Sequence, residues 1–465
     1  SIMILAVLLI GSISAAQTQP AQQAPRADQS LLALAAQQPA RTVSVIVRLA
    51  EQASGVEPQI NALGGRITDE LSIIHSLAVE LPAASILQLA HNRNISWISA
   101  DGTVTNSICF ECISAANLTN TYIQAIQADK VWAQGYQGQG IGVAVVDSGV
   151  NFQGDLYTIM GRNRVTGNVG FNSGYNITTF DAYGHGSHVA GIIGGNGRAS
   201  NGKYIGVAPQ VNIINVKVSD DLNNGAGTAS SVVKGLQWIL NNKAAYNIRV
   251  VNISINSDAN ESYHVNPIDA AAEILWNKGI VVVTSSGNRG RGTVYPPAND
   301  PYVITVGASD DKGTADVGDD KVASFSAFGK TIDGLSKPDL IAPGTNIVSL
   351  IGNLGMGLPA EHPQNIVTGT YFRMSGTSVS APMVAAAAAL ILQREPGLTP
   401  DQVKYRLKST ANKSWPAYTT RTAGAGILDV YAALNTATTR SANANVVPSQ
   451  LISGDLSATN ETASI

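Results

Sequence analysis

Between residues 121 and 437 the chain repeats one pattern: a short, uninterrupted apolar run, then a helical stretch. The runs are GVAVVD, VNIINVKV, RVVNISI, IVVVTSS and YVITVGA. A strand with one face in water alternates polar and apolar residues, so unbroken apolar runs imply strands buried on both faces. Such strands are parallel and covered by helices. The segments TASSVVKGLQWILNNK and PIDAAAEILWNKG have helical spacing, and the second closes at Gly279. Thr399-Pro400-Asp401-Gln402 supplies a capping Thr, a first-turn Pro and a Gln three residues after the cap, which marks a further helix start. The pattern predicts a three-layer α/β domain with a mostly parallel central sheet over 121–437.

The remainder of the 465 residues is too long to belong to that domain alone. Residues 1–16 are apolar and end in small residues. They are shorter than the roughly 20 residues of a membrane span and read as a secretory signal, incomplete because a starting Met and basic flank are missing. Secretion is therefore expected, with no stable membrane span. Residues 17–40, rich in Gln, Ala and Pro, read as a linker. Residues 41–101 give the order strand-helix-strand-strand-helix-strand, a small α+β sandwich. Residues 102–120 read as an exposed junction, and 438–465, rich in Ser, Asn, Thr and Ala, as a flexible tail. The junction holds the two cysteines, Cys109 and Cys112, outside any strand-helix unit. A local disulfide in an oxidising compartment is expected, not a redox or metal site. A net charge of −3 without any basic run excludes nucleic acid as a partner.

Active groups in open α/β sheets collect at the carboxyl ends of the strands, and three segments bring chemistry there. GVAVVDSGV ends a buried strand on Asp147. A carboxylate so placed must be hydrogen-bonded, and orienting a histidine ring is one way; capping a turn is another. GHGSHVAGIIGG sets His185 between glycines, with His188 three residues on, read as a core residue. The carboxylates near the HxxH pair give no recognisable zinc pattern. RMSGTSVSAPMVAAAAALIL places Ser378 at the start of a buried helix, with Pro382 in its first turn. The N–H groups of a helix start favour developing negative charge.

These segments resemble the Asp, His and Ser motifs of the subtilisin family of serine peptidases, and they stand in that family's order. The resemblance extends to GVAP at 206–209 and KPDLIAPG at 337–344. Ser187 stands where the family usually has Thr; the hydroxyl is kept. The resemblance implies endopeptidase activity on polypeptides through an acyl-enzyme, with Asp147, His185 and Ser378 as a triad. It implies Asn288 as an oxyanion-hole donor. Ser254, Ile255 and Asn256 would pair with extended substrate; Gly287, Val294, Tyr295 and Pro296 would line the first specificity pocket, with Tyr295-Pro296 as its cis-proline wall. Asn256 and Val294 replace glycines usual in the family, which predicts a shallow pocket that disfavours large aromatic residues. Residues 41–101 resemble the ferredoxin-like propeptide that assists folding and then inhibits, with autocleavage expected within 101–120. Calcium is a candidate structural ion, at Asp155 or at an acidic loop of Asp310, Asp311, Asp316, Asp319 and Asp320; catalysis needs no cofactor. A monomer is expected. The rival readings are a sedolisin-like acid peptidase, which would lack the GHGSH histidines, and a catalytically inactive binding module on the same fold.

Overall fold

The computed structural model describes residues 25–50, 53, 55–106, 121–158, 160–172, 179–221 and 225–452. Cys109 and Cys112 lie outside the described residues, as do residues 1–16, expected to be a secretory signal.

The expected parallel strands form one sheet. Its spatial order runs Leu340–Pro343, Ile304–Asp310, Val281–Ser285, Ile248–Ile253, Gly142–Asp147, Asn212–Lys217, Val165–Gly170, all parallel, with the short Lys321–Val322 antiparallel at one end. Chain order reverses around Gly142–Asp147, so the crevice at the carboxyl end of this strand is the natural site position. Gly142–Asp147 is buried at every residue, as its unbroken apolar run requires. Helices cover both faces. His185–Gly194 packs against Thr377–Arg394, and Ala229–Asn242 against Pro267–Asn277. Thr228 and Asn266 cap the latter two through their side chains. The Thr399/Gln402 capping box forms as the sequence predicts.

Residues 42–100 fold as expected. Arg66–Leu71, Ser76–Pro82, Thr42–Leu49 and Ile95–Ala100 lie in that order as an antiparallel sheet, with helices Val56–Ala62 and Ala83–Leu89. In Thr42–Leu49, Val45 and Val47 meet the unit's own core with Ile60, Ile86 and Leu89. Ile46, on the opposite face, joins Leu71, Ile74 and Ala78 in the core of the larger unit. Burying a side chain the size of Ile contributes about 1.5–3 kcal/mol, so this face is a firm seam. Polar contacts line it: Lys234 pairs with Asp69 at 2.8 Å, Gln237 donates to Ser72 Oγ at 2.7 Å, and Ser99 donates to the Val265 carbonyl at 3.0 Å.

Three segments depart from expectation. Residues 29–37, inside the expected linker, form a helix capped by Asp28 that packs on Ala83–Leu89 through buried Leu31 and Ala35. The expected tail is docked over its described length. Tyr302 and Tyr263 donate to the carbonyls of Val446 and Val447, Ser449 N–H donates to the Glu273 carboxylate, and Leu451 and Ile452 are buried. The expected junction contributes a strand, Thr103–Asn106, between Ile255–Ser257 and Gly227–Thr228 and antiparallel to both.

Candidate active site

Asp147 ends its strand at the carboxyl edge, and His185 opens the helix His185–Gly194 beside it. Both are fully buried, and His185 Nδ1 lies 2.7 Å from Asp147 Oδ1. The Ser148 N–H donates to the same oxygen at 2.8 Å. His185 Nε2 has no hydrogen-bond partner among the described residues. An imidazole held through Nδ1 with Nε2 unengaged can accept a proton there.

Ser378 is the second residue of the helix Thr377–Arg394, whose cap Gly376 offers no side chain. Pro382 sits in the second turn, not the first as the sequence pattern predicts. Lacking an N–H, it cannot bond the carbonyl of Ser378 four residues earlier. Ser254 Oγ donates to that carbonyl instead, at 2.9 Å, and Asn252 Nδ2 donates to Ser254 Oγ at 2.8 Å. Ser254, which joins the strands Ile248–Ile253 and Ile255–Ser257, thus fixes the backbone of Ser378.

The Asn288 side-chain oxygen accepts the Thr377 N–H at 2.9 Å and the Thr377 hydroxyl at 3.1 Å. Its Nδ2 is buried, with no partner among the described residues. A buried amide donor left unpaired beside the start of a helix is what an oxyanion binder requires.

A profile of the Subtilase family matches residues 138–426. This chain belongs to the subtilase family. It is 38% identical over 327 residues to the serine protease AprX of Bacillus subtilis strain 168, covering 67% of this chain and 70% of that protein. It is 33% identical over 315 residues to subtilisin DY of Bacillus licheniformis, covering 67% of this chain and 97% of the relative. Among solved structures it is similar to fervidolysin of Fervidobacterium pennivorans, a keratinolytic enzyme related to subtilisin, with a TM-score of 0.65 and 24% identity. That likeness, over 86% of this chain and 62% of the other, is one of fold.

In this subtilase His188 is a core residue, as expected. Its Nε2 faces the carbonyls of Phe372 at 3.0 Å and Ile347 at 3.2 Å. Burial, then the nearby His185, pull its imidazole down to about 3, against the two carbonyls that favour the protonated ring. It is neutral at any ordinary pH.

The remaining expected site residues form a rim. Ser257 N–H donates to the Pro296 carbonyl at 2.8 Å, tying the Ser254-Ile255-Asn256 segment to the wall at Val294, Tyr295 and Pro296. The cis bond of that wall joins Pro296 to Pro297, one residue beyond the expected Tyr295-Pro296 pair. Tyr295 carries the Arg289 guanidinium at 4.0 Å from its ring centre. Asn256 Nδ2 donates to the Ser285 carbonyl at 2.9 Å, and its Oδ1 sits 3.6 Å from where a Cβ on Gly287 would stand. Val294 is buried.

Asp155 does not fit the calcium expectation. Its Oδ1 accepts the Ala199 N–H at 2.8 Å and its Oδ2 the Tyr371 hydroxyl at 2.6 Å. Its carbonyl, with those of Gly194 and Val211, takes the Arg164 guanidinium. Both carboxylate oxygens are thus engaged, and a fixed cation already gathers the loop carbonyls, leaving a divalent ion neither ligands nor charge to balance. Elsewhere among the described residues, no three His, Cys, Asp or Glu side chains are grouped to hold a metal, the acidic loop at 310–320 included.

Sequence reasoning missed Asp181. The signal was its position four residues ahead of His185, opening the Asp-x-x-Gly-His stretch.

Proposed function

We propose that this subtilase is a secreted serine endopeptidase in precursor form, with Asp147, His185 and Ser378 as its triad. The observation that carries the reading is the fully buried His185–Asp147 pair at 2.7 Å, with Nε2 left unpartnered among the described residues and His185 on a helix packed against the one that carries Ser378 in its first turn. Asp147 keeps the proton on Nδ1, so Nε2 accepts the Ser378 proton as Oγ attacks the peptide carbonyl. The oxyanion is met by Asn288 Nδ2 and the Ser378 N–H. His185 then protonates the leaving amine, and water repeats the sequence on the acyl-enzyme. Subtilisin-like relatives support the reaction class.

Residues 41–101 act as propeptide and inhibitor in this reading, continued by the junction strand Thr103–Asn106. Thr103–Asn106 fills the slot between Gly227–Thr228 and Ile255–Ser257 by strand addition, the way an extended substrate would bind. Cleavage within 101–120 would then release it. Asn256 beside Gly287, with buried Val294, supports a shallow first pocket, so cleavage after Ala or Leu should outpace cleavage after Phe or Tyr. Secretion rests on the apolar N-terminal run; no helix among the described residues is long and apolar enough to cross a membrane. The reading is tested by casein hydrolysis. Activity blocked by a serine-directed reagent and absent in Ser378→Ala is expected; hydrolysis that survives Ser378→Ala refutes the triad.

A further inference from the structure

We propose that Asp181 is a positioning residue for the reaction, a buried carboxylate that locks the Asp147 turn to the first turn of the histidine helix. The inference rests on the catalytic reading above.

Asp181 is fully buried and has no ion-pair partner among the described residues. Dipoles meet its charge instead. Oδ1 accepts the Ser148 hydroxyl at 2.8 Å and the Gly184 N–H at 2.7 Å, and Oδ2 accepts the Ser187 N–H at 2.7 Å. The Ser187 hydroxyl accepts the Asn151 N–H at 3.0 Å. That bond is what the hydroxyl kept at position 187 is used for. Burial raises the Asp181 carboxyl above the ordinary range, and these donors pull it back.

The geometry explains why a carboxylate stands so far ahead of the helix. The cap position is Gly184, at φ 100°, where a Cβ would be strained and would press to 3.3 Å from Pro359. Glycine cannot cap through a side chain, so the orphan N–H groups of the first turn need another acceptor. Asp181 takes the N–H of Ser187, the third helical residue, directly. The N–H of Gly186, the second, goes to Ser148 Oγ at 2.9 Å, whose own proton goes to Asp181. Ser148 is also the residue whose N–H holds Asp147 Oδ1, the oxygen that faces His185 Nδ1. A closed ring of hydrogen bonds therefore runs from Asp181 through Ser148 and Asp147 to His185 and back along the helix start. The two turns are already in contact, since a Cβ on Gly186 would fall 2.1 Å from the Gly149 carbonyl. Without Asp181 the Ser148 hydroxyl loses its acceptor, and the aspartate-histidine distance is no longer fixed from both sides.

The experiment compares wild type, Asp181→Asn and Ser148→Ala as mature enzymes, counted by active-site labelling with a serine-directed reagent, and takes the Ser378→Ala precursor, counted as total protein, as the inactive control. Wild-type hydrolysis of a peptide substrate, absent in Ser378→Ala, establishes the catalytic reading; its failure sinks that reading whatever Asp181 does. Given that result, Asp181→Asn should lower kcat about tenfold or more with KM within about twofold, because misplacing a reacting group strikes the chemical step. The downfield proton resonance of the His185–Asp147 hydrogen bond should move or broaden. Ser148→Ala, which removes the link to Asp181 and the acceptor of the Gly186 N–H but leaves the Asp181 bonds to Gly184 and Ser187, should shift the same resonance with a smaller fall in kcat, and it keeps the idea falsifiable if Asp181→Asn does not mature. A variant that melts earlier yet keeps kcat per labelled site and an unmoved resonance would reduce Asp181 to a structural cap. An unchanged resonance and kcat in Ser148→Ala would overturn the proposal by itself.

Discussion

Thr377 gives both its N–H and its hydroxyl to the side-chain oxygen of Asn288, which orients the amide so that its nitrogen is left for another acceptor. The Thr377 hydroxyl also accepts the Gly287 N–H at 3.0 Å, so the strand end and the helix start hold each other. Asn288→Asp keeps the acceptor that Thr377 uses and removes the donor. It should lower kcat by about 10²–10³, or about 2.7–4 kcal/mol, with little change in KM. That range is the one known for the oxyanion-hole asparagine of subtilisin, a relative of this chain. Steady-state kinetics on one peptide decide it; a loss confined to KM would assign Asn288 to ground-state binding.

Asp101 reaches from the N-terminal unit to the start of the helix Ala229–Asn242. Its carboxylate accepts the Ser230 N–H at 2.8 Å and the Ser230 hydroxyl at 2.7 Å. Removing a helix cap costs about 0.5–2 kcal/mol. In Asp101→Ala the N-terminal unit should dock more weakly and leave sooner, so activity should appear earlier during maturation. An onset time equal to wild type would mean the cap contributes nothing to docking.

Glu261 gives docking a pH dependence. Burial above all, then the nearby carboxylates of Asp28 and Asp258, raise its carboxyl to about 8, although Asn266 donates to it. Asp28 belongs to the N-terminal unit, so separation of the units relieves its share of the shift. The docked state therefore binds more protons between the ordinary carboxylate range and about pH 8. Docking is strongest below that window and weakens as pH rises through it. Hydrogen-exchange protection in the strands of residues 42–100, taken relative to the intrinsic base-catalysed rate at each pH, should fall from pH 5 to pH 8 in the Ser378→Ala precursor. The added substitution Glu261→Gln should flatten that slope, and a slope that persists would assign it to other groups.

The Asp155 corner should be stable without an ion. Tyr371→Phe leaves one buried carboxylate oxygen unpaired, for about 1–3 kcal/mol. Melting should show that loss, and added calcium should not restore it. Recovery in calcium would reopen Asp155 as a ligand.

Much of this was legible in the sequence because the signals are local. Unbroken apolar runs such as GVAVVD report burial on both faces, and a polar residue closing such a run, or flanked by glycines as His185 is, stands out at once. What was hidden depends on distant partners. Asp155 meets Tyr371 across more than two hundred residues and Ala199 across more than forty, and such contacts separate a satisfied carboxylate from a metal ligand. The helix Gln29–Gln37 was masked by a Gln- and Ala-rich composition whose two buried contacts, Leu31 and Ala35, give a weak period. The segment through Ser449 looked like a tail because its anchors are backbone groups held by Tyr263, Tyr302 and Glu273, which no composition reveals. Pro382 lies one turn later than its motif suggests, and the role of Ser254 follows from that displacement.

The slot that holds Thr103–Asn106 has a peptide edge on either side, and both must be satisfied by one strand. In the proposed reading, where substrate takes the place of Thr103–Asn106, a polypeptide can enter only where its own backbone is fully stretched and bare along both margins. Chains already paired in a sheet or wound in a helix offer neither. Which folded proteins this subtilase cuts will then be governed by where they open locally and for how long, and the residue at the scissile position will sort only among segments that have opened.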